Sequence, residues 1–198
     1  IGMVAYEGEK MSKSLGNLVF VRDLRTGHDP RAIRLALLSN HYRAGFEWFD
    51  SDIDKGEAML ERMIEAASCP SGPDSETLLS QVREAIDDDL NLPKACEIID
   101  DFAVKMIEGS GNDSGAKTAL TKAAELLGVN LNSVKVFRSE FVSGKYCLLF
   151  SRILLVVLKF TDSLTGEKTD FTPRDPGKVS VYWCGPTVYD APHLGHAR

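Results

Sequence analysis

The chain has 198 residues, 43% hydrophobic and 26% charged, a composition that fits one or two folded domains and is unlike that of a disordered chain. Its net charge of −6 is uneven, with 14 Lys+Arg against 23 Asp+Glu in residues 1–131 and 9 against 6 in residues 132–198. The acidic main body argues against broad binding to a phosphate backbone, and the apolar run 146–160, broken by Arg152, is shorter than the roughly 20 residues of a membrane helix.

Cys69, Cys96, Cys147 and Cys184 are irregularly spaced and form no C-x-x-C pair, so no disulfide framework is expected. No basic-then-apolar leader pattern opens the chain, and a reducing cytoplasm with no membrane contact is the expected setting. The chain starts at Ile1 and stops at Arg198 inside a motif-like string. With the charge asymmetry, this leads us to expect a fragment: a junction of two reading frames or an artificial splice ahead of a truncated circular permutation.

Residues 1–27 read as a strand, a glycine-containing loop and a second apolar stretch, Leu18–Val21. Asp29-Pro30 is a helix start, because Asp can cap and Pro suits the first helical position; Ile33, Leu37 and Leu38 follow at helical spacing. Asp50 or Ser51 is expected to cap the next helix, with Ile53, Met59, Leu60, Met63 and Ile64 as its apolar stripe. Residues 69–73 form a loop, after which Leu78, Leu79, Val82 and Ile86 mark a third helix and Leu92–Ile107 a fourth. A glycine-rich loop at 109–113 leads to a fifth, short helix through Leu127, closed by Gly128. Residues 29–128 therefore read as a small helical bundle. Residues 132–160 match no clean period. Val179–Trp183 alternates as a strand, Cys184-Gly185-Pro186 turns out of it, and a helix is expected from His193. That strand–loop–helix order is how a doubly wound nucleotide-binding fold begins.

Two strings carry chemistry. In Lys10-Met11-Ser12-Lys13-Ser14, two lysines on one small loop can reach a triphosphate together and offset charge that builds on it. Ser12, Ser14, Gly16 and the loop amides can add hydrogen bonds. K-x-x-K alone would equally describe a solvated surface loop. In His193-Leu194-Gly195-His196, two histidines three apart share a helix face at an anion-attracting N-terminus, and Gly195 leaves room for a nucleotide. Alone, that pair would equally describe a metal site or surface histidines.

The full first string, followed by Leu15-Gly16-Asn17, resembles the KMSKS signature of class I aminoacyl-tRNA synthetases. The second, behind Cys184-Gly185-Pro186-Thr187-Val188-Tyr189-Asp190, resembles the HIGH signature of cysteinyl-tRNA synthetase. Gly16–Val21, His41-Tyr42-Arg43 with Trp48, Asp87–Ala95 and Leu126–Leu131 resemble the mycothiol-pathway cysteine ligase, whereas Leu15 and Arg22-Asp23-Leu24 look more like the tRNA enzyme. Residues 158–198 resemble the start of cysteinyl-tRNA synthetase, and 132–157 resemble neither. The resemblance implies four parts: the KMSKS end of a catalytic domain in 1–28, a C-terminal helical bundle in 29–131, a junction in 132–157, and a HIGH-motif fragment of a Rossmann-like catalytic domain in 158–198. The fold class is thus mainly α, a helical bundle after the KMSKS loop plus that fragment.

The resemblance further implies an ATP-dependent, cysteine-activating ligase. Lys10, Lys13, His193 and His196 would act on the phosphates of ATP, with Met11, Ser12, Ser14 and Gly195 beside them and Mg²⁺ accompanying the nucleotide. Gly185, Thr187 and Tyr189 would line the cysteine pocket. Cys184 would be one ligand of a Zn²⁺ that takes the substrate thiolate, although for this chain a free thiol is an equal reading. The acceptor would be the amine of glucosaminyl-inositol or tRNA(Cys); the oligomeric state is not read from the sequence. In the family the HIGH unit precedes the KMSKS loop, and here the order is reversed. An incomplete, reordered chain that is inactive alone is therefore the expectation. A helical module without catalysis is the competing reading, and tRNA binding by the acidic bundle is the weakest.

Overall fold

The computed structural model describes residues 2–132, 159–162 and 165–173. Strands β1 (Val4–Tyr6) and β2 (Glu9–Lys10) form a hairpin in which Tyr6 pairs with Glu9. Its two turn residues, Glu7 (φ 56°) and Gly8 (φ 77°), both lie in the left-handed region, as the tightest hairpin turns require. Helices α1 (Val21–Gly27) and α2 (Pro30–Leu38) follow, and strand β3 (Phe46–Trp48) then returns parallel to β1 in the sheet order β2–β1–β3. A parallel partner needs a long crossover, and α1 and α2 lie within it.

The rest of the main body is α3 (Ser51–Ala66), α4 (Leu78–Asp87), α5 (Leu92–Ile107) and α6 (Ala116–Leu126). Helix α3 packs on α2 and α5, and α4 packs on α5 and α6. The mainly helical reading holds for the described residues, and five of the six helices there stand where the sequence reading put them. Asp29 caps α2, its carboxylate accepting the Arg31 amide at 2.9 Å, with Pro30 as the first helical residue. Asn91 caps α5 through the Lys94 amide. At the end of α6, Gly128 (φ 71°) donates to Glu125 and Val129 donates back to Ala124, a Schellman closure. Arg34 of α2 donates to the freed Leu127 carbonyl, and Arg31 reaches Asn130 O at 2.8 Å.

The core includes Leu35, Trp48, Met63, Ile99, Met106, Leu120 and Leu127, each below 2% exposed. Alanines 116, 119, 123 and 124 give α6 a thin buried face. The loops around 72 and 113 are stitched by paired backbone hydrogen bonds between Gly72 and Asp113, and the Asp113 carboxylate accepts from Ser75 and Gly115.

Two elements are added and two expectations are corrected. Val21, at the end of the apolar stretch Leu18–Val21, opens the short helix α1, and Phe46–Trp48 is a strand that short-range periodicity did not mark. Ile64 faces outward at 38% exposure, because the buried stripe of α3 runs through Ile53, Gly56, Leu60, Met63 and Ala66. Asp50 occupies the N-cap of α3 without a capping bond from its side chain; Asp52 instead reaches back to the Phe49 amide at 3.0 Å. In the segment after the main body, β4 (Lys159–Thr161) and β5 (Lys168–Asp170) pair antiparallel. The strand expected at 179–183 and the helix expected from His193 lie outside the described residues.

Candidate functional site

The Lys10–Ser14 string begins at the end of the β1–β2 hairpin. Met11 turns inward, 7% exposed, and its amide donates to the Val4 carbonyl at 2.9 Å. Lys10, Lys13 and Ser14 are exposed, and Ser12 is half-buried. One apolar side chain thus roots a loop whose cationic and hydroxyl groups face solvent. The loop closes by a turn in which the Gly16 amide donates to Lys13 O at 3.2 Å, with Gly16 at φ 70°. A residue with a side chain is strained there, so this glycine is conformationally required.

Asn17 holds the loop to the hairpin. Its side-chain oxygen accepts the Ser12 amide at 2.9 Å, while its amide nitrogen lies within reach of the carbonyls of Tyr6 (3.4 Å) and Lys10 (3.3 Å). The hydroxyls of Ser12 and Ser14 stand 3.2 Å apart, facing the same small space. The chain therefore places two lysines, two hydroxyls and a glycine turn on one exposed rim. Carboxylates lie close by: Asp50 first, then burial, then Glu7 push the Tyr6 phenol above its ordinary value. Such a rim suits a polyanion that brings its own cation.

A shallow hollow of about 420 Å³ adjoins the loop, lined by Tyr6, Leu18–Phe20, Asp23, Leu24 and Thr26–His28. At its edge His28 Nδ1 lies 2.9 Å from Glu57 Oε1.

Of the residues singled out in the sequence, Lys10, Met11, Ser12, Lys13 and Ser14 come together on one loop. Cys184, Gly185, Thr187, Tyr189, His193, Gly195 and His196 lie outside the described residues. Among the described residues, no three His, Cys, Asp or Glu side chains gather as a metal site, and no helix is long and apolar enough to cross a membrane. The sequence alone assigns Asn17 no role; an amide side chain directly after the loop glycine is the signal for its clamp. Nor does it pair Tyr42 and Arg43 with Asp89, which lie in two separate strings.

The sequence is similar to known proteins over the part that carries this loop. Residues 1–58, which contain the hairpin, the loop and β3, match the family described as tRNA synthetases class I (C) catalytic domain. Over 131 residues, 66% of the chain, the sequence is 47% identical to the L-cysteine:1D-myo-inositol 2-amino-2-deoxy-alpha-D-glucopyranoside ligase of Streptosporangium roseum, of which the match covers 32%. It is 48% identical over 134 residues to the ligase of that name from Thermobifida fusca, covering 67% of this chain and 32% of that one. It is 50% identical over 131 residues to that of Thermobispora bispora, covering 66% and 32%. The chain thus spans about a third of the length of these curated relatives.

Proposed function

We propose that residues 1–131 are the phosphate-facing loop and helical bundle of an ATP-dependent cysteine ligase that passes cysteine to the amine of a glucosaminyl-inositol. The observation that carries this reading is the Lys10–Ser14 rim, rooted by Met11 and clamped by Asn17, inside a stretch 47% identical to a ligase so named. In the reaction, the cysteine carboxylate attacks the α-phosphorus of ATP. A new oxygen–phosphorus bond forms, the α–β anhydride breaks, and pyrophosphate leaves. The acceptor amine then attacks the acyl carbon, loses its proton, and AMP departs. Lys10 and Lys13 hold the departing phosphates, where negative charge grows, and Ser12, Ser14 and the loop amides orient them. Mg²⁺ would accompany ATP, bound to its phosphate oxygens.

In this reading His193 and His196, with Gly195, face the same phosphates. Gly185, Thr187 and Tyr189 line the cysteine pocket. Cys184 would supply one thiolate ligand to a Zn²⁺ whose softness distinguishes a thiol from a hydroxyl, and the remaining ligands would have to come from outside this chain. The setting is the cytoplasm, where ATP and reduced cysteine coexist. A second acceptor, tRNA(Cys), is favoured by the resemblance of residues 158–198 to cysteinyl-tRNA synthetase.

The test is a chimera in which residues 1–131 replace the matching third of the Thermobifida fusca ligase. We expect cysteine-dependent exchange of pyrophosphate into ATP and transfer to glucosaminyl-inositol but not to tRNA. Lys10→Ala and Lys13→Ala should each lower kcat by about 10²-fold, the magnitude of losing one transition-state contact. Full exchange in the double variant would sink the assignment of the loop. Transfer to tRNA in place of the inositol amine would move the reading to the second acceptor.

A further inference from the structure

Among the described residues two carboxylates are buried, Asp29 and Asp89. Asp29 is satisfied locally, by the cap of α2 and by Arg31 two residues on. Asp89, 4% exposed, takes its partners from two distant parts of the chain. From the main body, the Tyr42 hydroxyl donates to Oδ1 at 2.7 Å and Arg43 Nε donates to Oδ2 at 3.0 Å. From β4, the Thr161 hydroxyl donates to Oδ2 at 2.6 Å and the Thr161 amide to Oδ1 at 3.2 Å.

The backbone is arranged for the same contact. Asp89 (φ 56°) and Leu90 (φ 54°) are consecutive non-glycine residues in the left-handed region, a strained conformation that persists only where surrounding contacts hold it. There the Asp89 amide donates to Lys159 O at 3.0 Å, beside a parallel bridge between Asp88 and Lys159. Arg43 closes the other end by donating to Thr161 O. Lys168 of β5 adds an ion pair to Asp88 at 2.5 Å. The strand period explains the selection: residues 159 and 161 address the body, while Phe160 turns to Phe171 within its own unit, ring centroids 5.7 Å apart.

We propose that the α4–α5 turn is a strand-receptor site, which recognises the β4–β5 unit as a non-covalent ligand and reads Thr161 through Asp89. The chemistry it selects is an extended strand with a hydroxyl and a free amide on one residue. Valine would fill the same volume but leave a carboxylate lone pair without its donor, and serine would keep the donor. The site stands independently of any catalytic reading. Its role is to hold the segment that follows residue 158 against the body that carries the Lys10–Ser14 loop, whatever joins them in sequence.

The experiment uses the full chain with a specific protease site inserted between residues 133 and 157. After cleavage, native mass spectrometry and gel filtration should find the two pieces still together. Thr161→Val should raise their dissociation constant at least tenfold and Thr161→Ser should restore most of the affinity. The far-UV circular dichroism of the helical body should not change in either variant, since the substitution lies on the ligand side, while its unfolding midpoint in the associated pair should fall only in Thr161→Val. Separation of the unsubstituted pieces would overturn the proposal. So would association that Thr161→Val leaves untouched.

Discussion

The side-chain oxygen of Asn17 accepts the backbone amide of Ser12 at 2.9 Å, closing the Lys10–Ser14 loop against the hairpin that precedes it. One amide side chain thereby fixes the conformation of the segment on which both lysines ride. Asn17→Ala should cost about 1 kcal/mol in global stability, the usual net worth of such a bond. Its larger effect should be local: exchange at the Ser12 amide should quicken by roughly tenfold, because that donor then faces solvent. Hydrogen exchange read by mass spectrometry checks this, and unchanged protection at Ser12 would show that the clamp is idle.

Two glycines should respond unequally to the same substitution. A Cβ at Gly56 in α3 would stand 2.3 Å from the Ala32 carbonyl oxygen and 3.1 Å from Ala36 Cβ, where α3 crosses α2. The helices must separate to admit it, so Gly56→Ala should destabilise by about 3 kcal/mol, as overpacking does. At Gly109 a Cβ meets nothing within 4 Å, and only the positive φ of 75° opposes it. Gly109→Ala should therefore cost about 1 kcal/mol. Urea unfolding of both variants measures the difference, and equal midpoints would refute the close approach of α2 and α3.

Acid should weaken the Asp89 node. Burial alone would raise the Asp89 carboxyl, but the donors outweigh it: the Thr161 hydroxyl, Tyr42, the Thr161 amide and Arg43 hold it well below the usual carboxylate range. The folded value is thus depressed relative to the unfolded one. Its stabilising contribution is complete above the ordinary carboxylate pKa and is lost as pH falls below it toward the folded value. Unfolding free energy should drop as pH is lowered from 5 to 2, and Asp89→Asn should flatten that slope while lowering stability at pH 7. A slope unchanged by Asp89→Asn would assign the acid sensitivity to other carboxylates.

The cysteines of the main body should differ in reactivity. Cys96 is 1% exposed, and burial first, then the neighbouring Asp100 charge, push its thiol up to about 12. A thiol held protonated and enclosed is a poor nucleophile. At pH 8 in the folded protein, iodoacetamide should leave Cys96 unmodified and label the half-buried Cys69. Peptide mapping reads each site separately, and labelling of Cys96 at the rate seen in urea would contradict its burial.

Much of the helical body was legible because its signals are local. The Asp29-Pro30 cap, the apolar spacing in α3 through α6 and the Gly128 closure each depend on residues within a few turns of one another. Helix α1 was not legible, since its seven residues bury no side chain fully and leave no apolar stripe. Strand β3 was hidden for the opposite reason: three residues carry too little periodicity, and Phe46–Trp48 is a strand because β1 pairs with it.

At the candidate site the sequence by itself determined which chemical groups share one loop, because the residue types and spacing of Lys10–Ser14 and the turn glycine Gly16 are local facts. Only the tertiary structure decided which of those groups face solvent, through the inward turn of Met11 and the clamp of Asn17. It also decided that Tyr42, Arg43 and Thr161 would meet at Asp89, across separations of 47, 46 and 72 residues. Hydrogen bonds between residues so far apart leave no periodic trace in a single sequence. They follow from the packing of α4 on α5 and from a strained turn that local propensity would not choose.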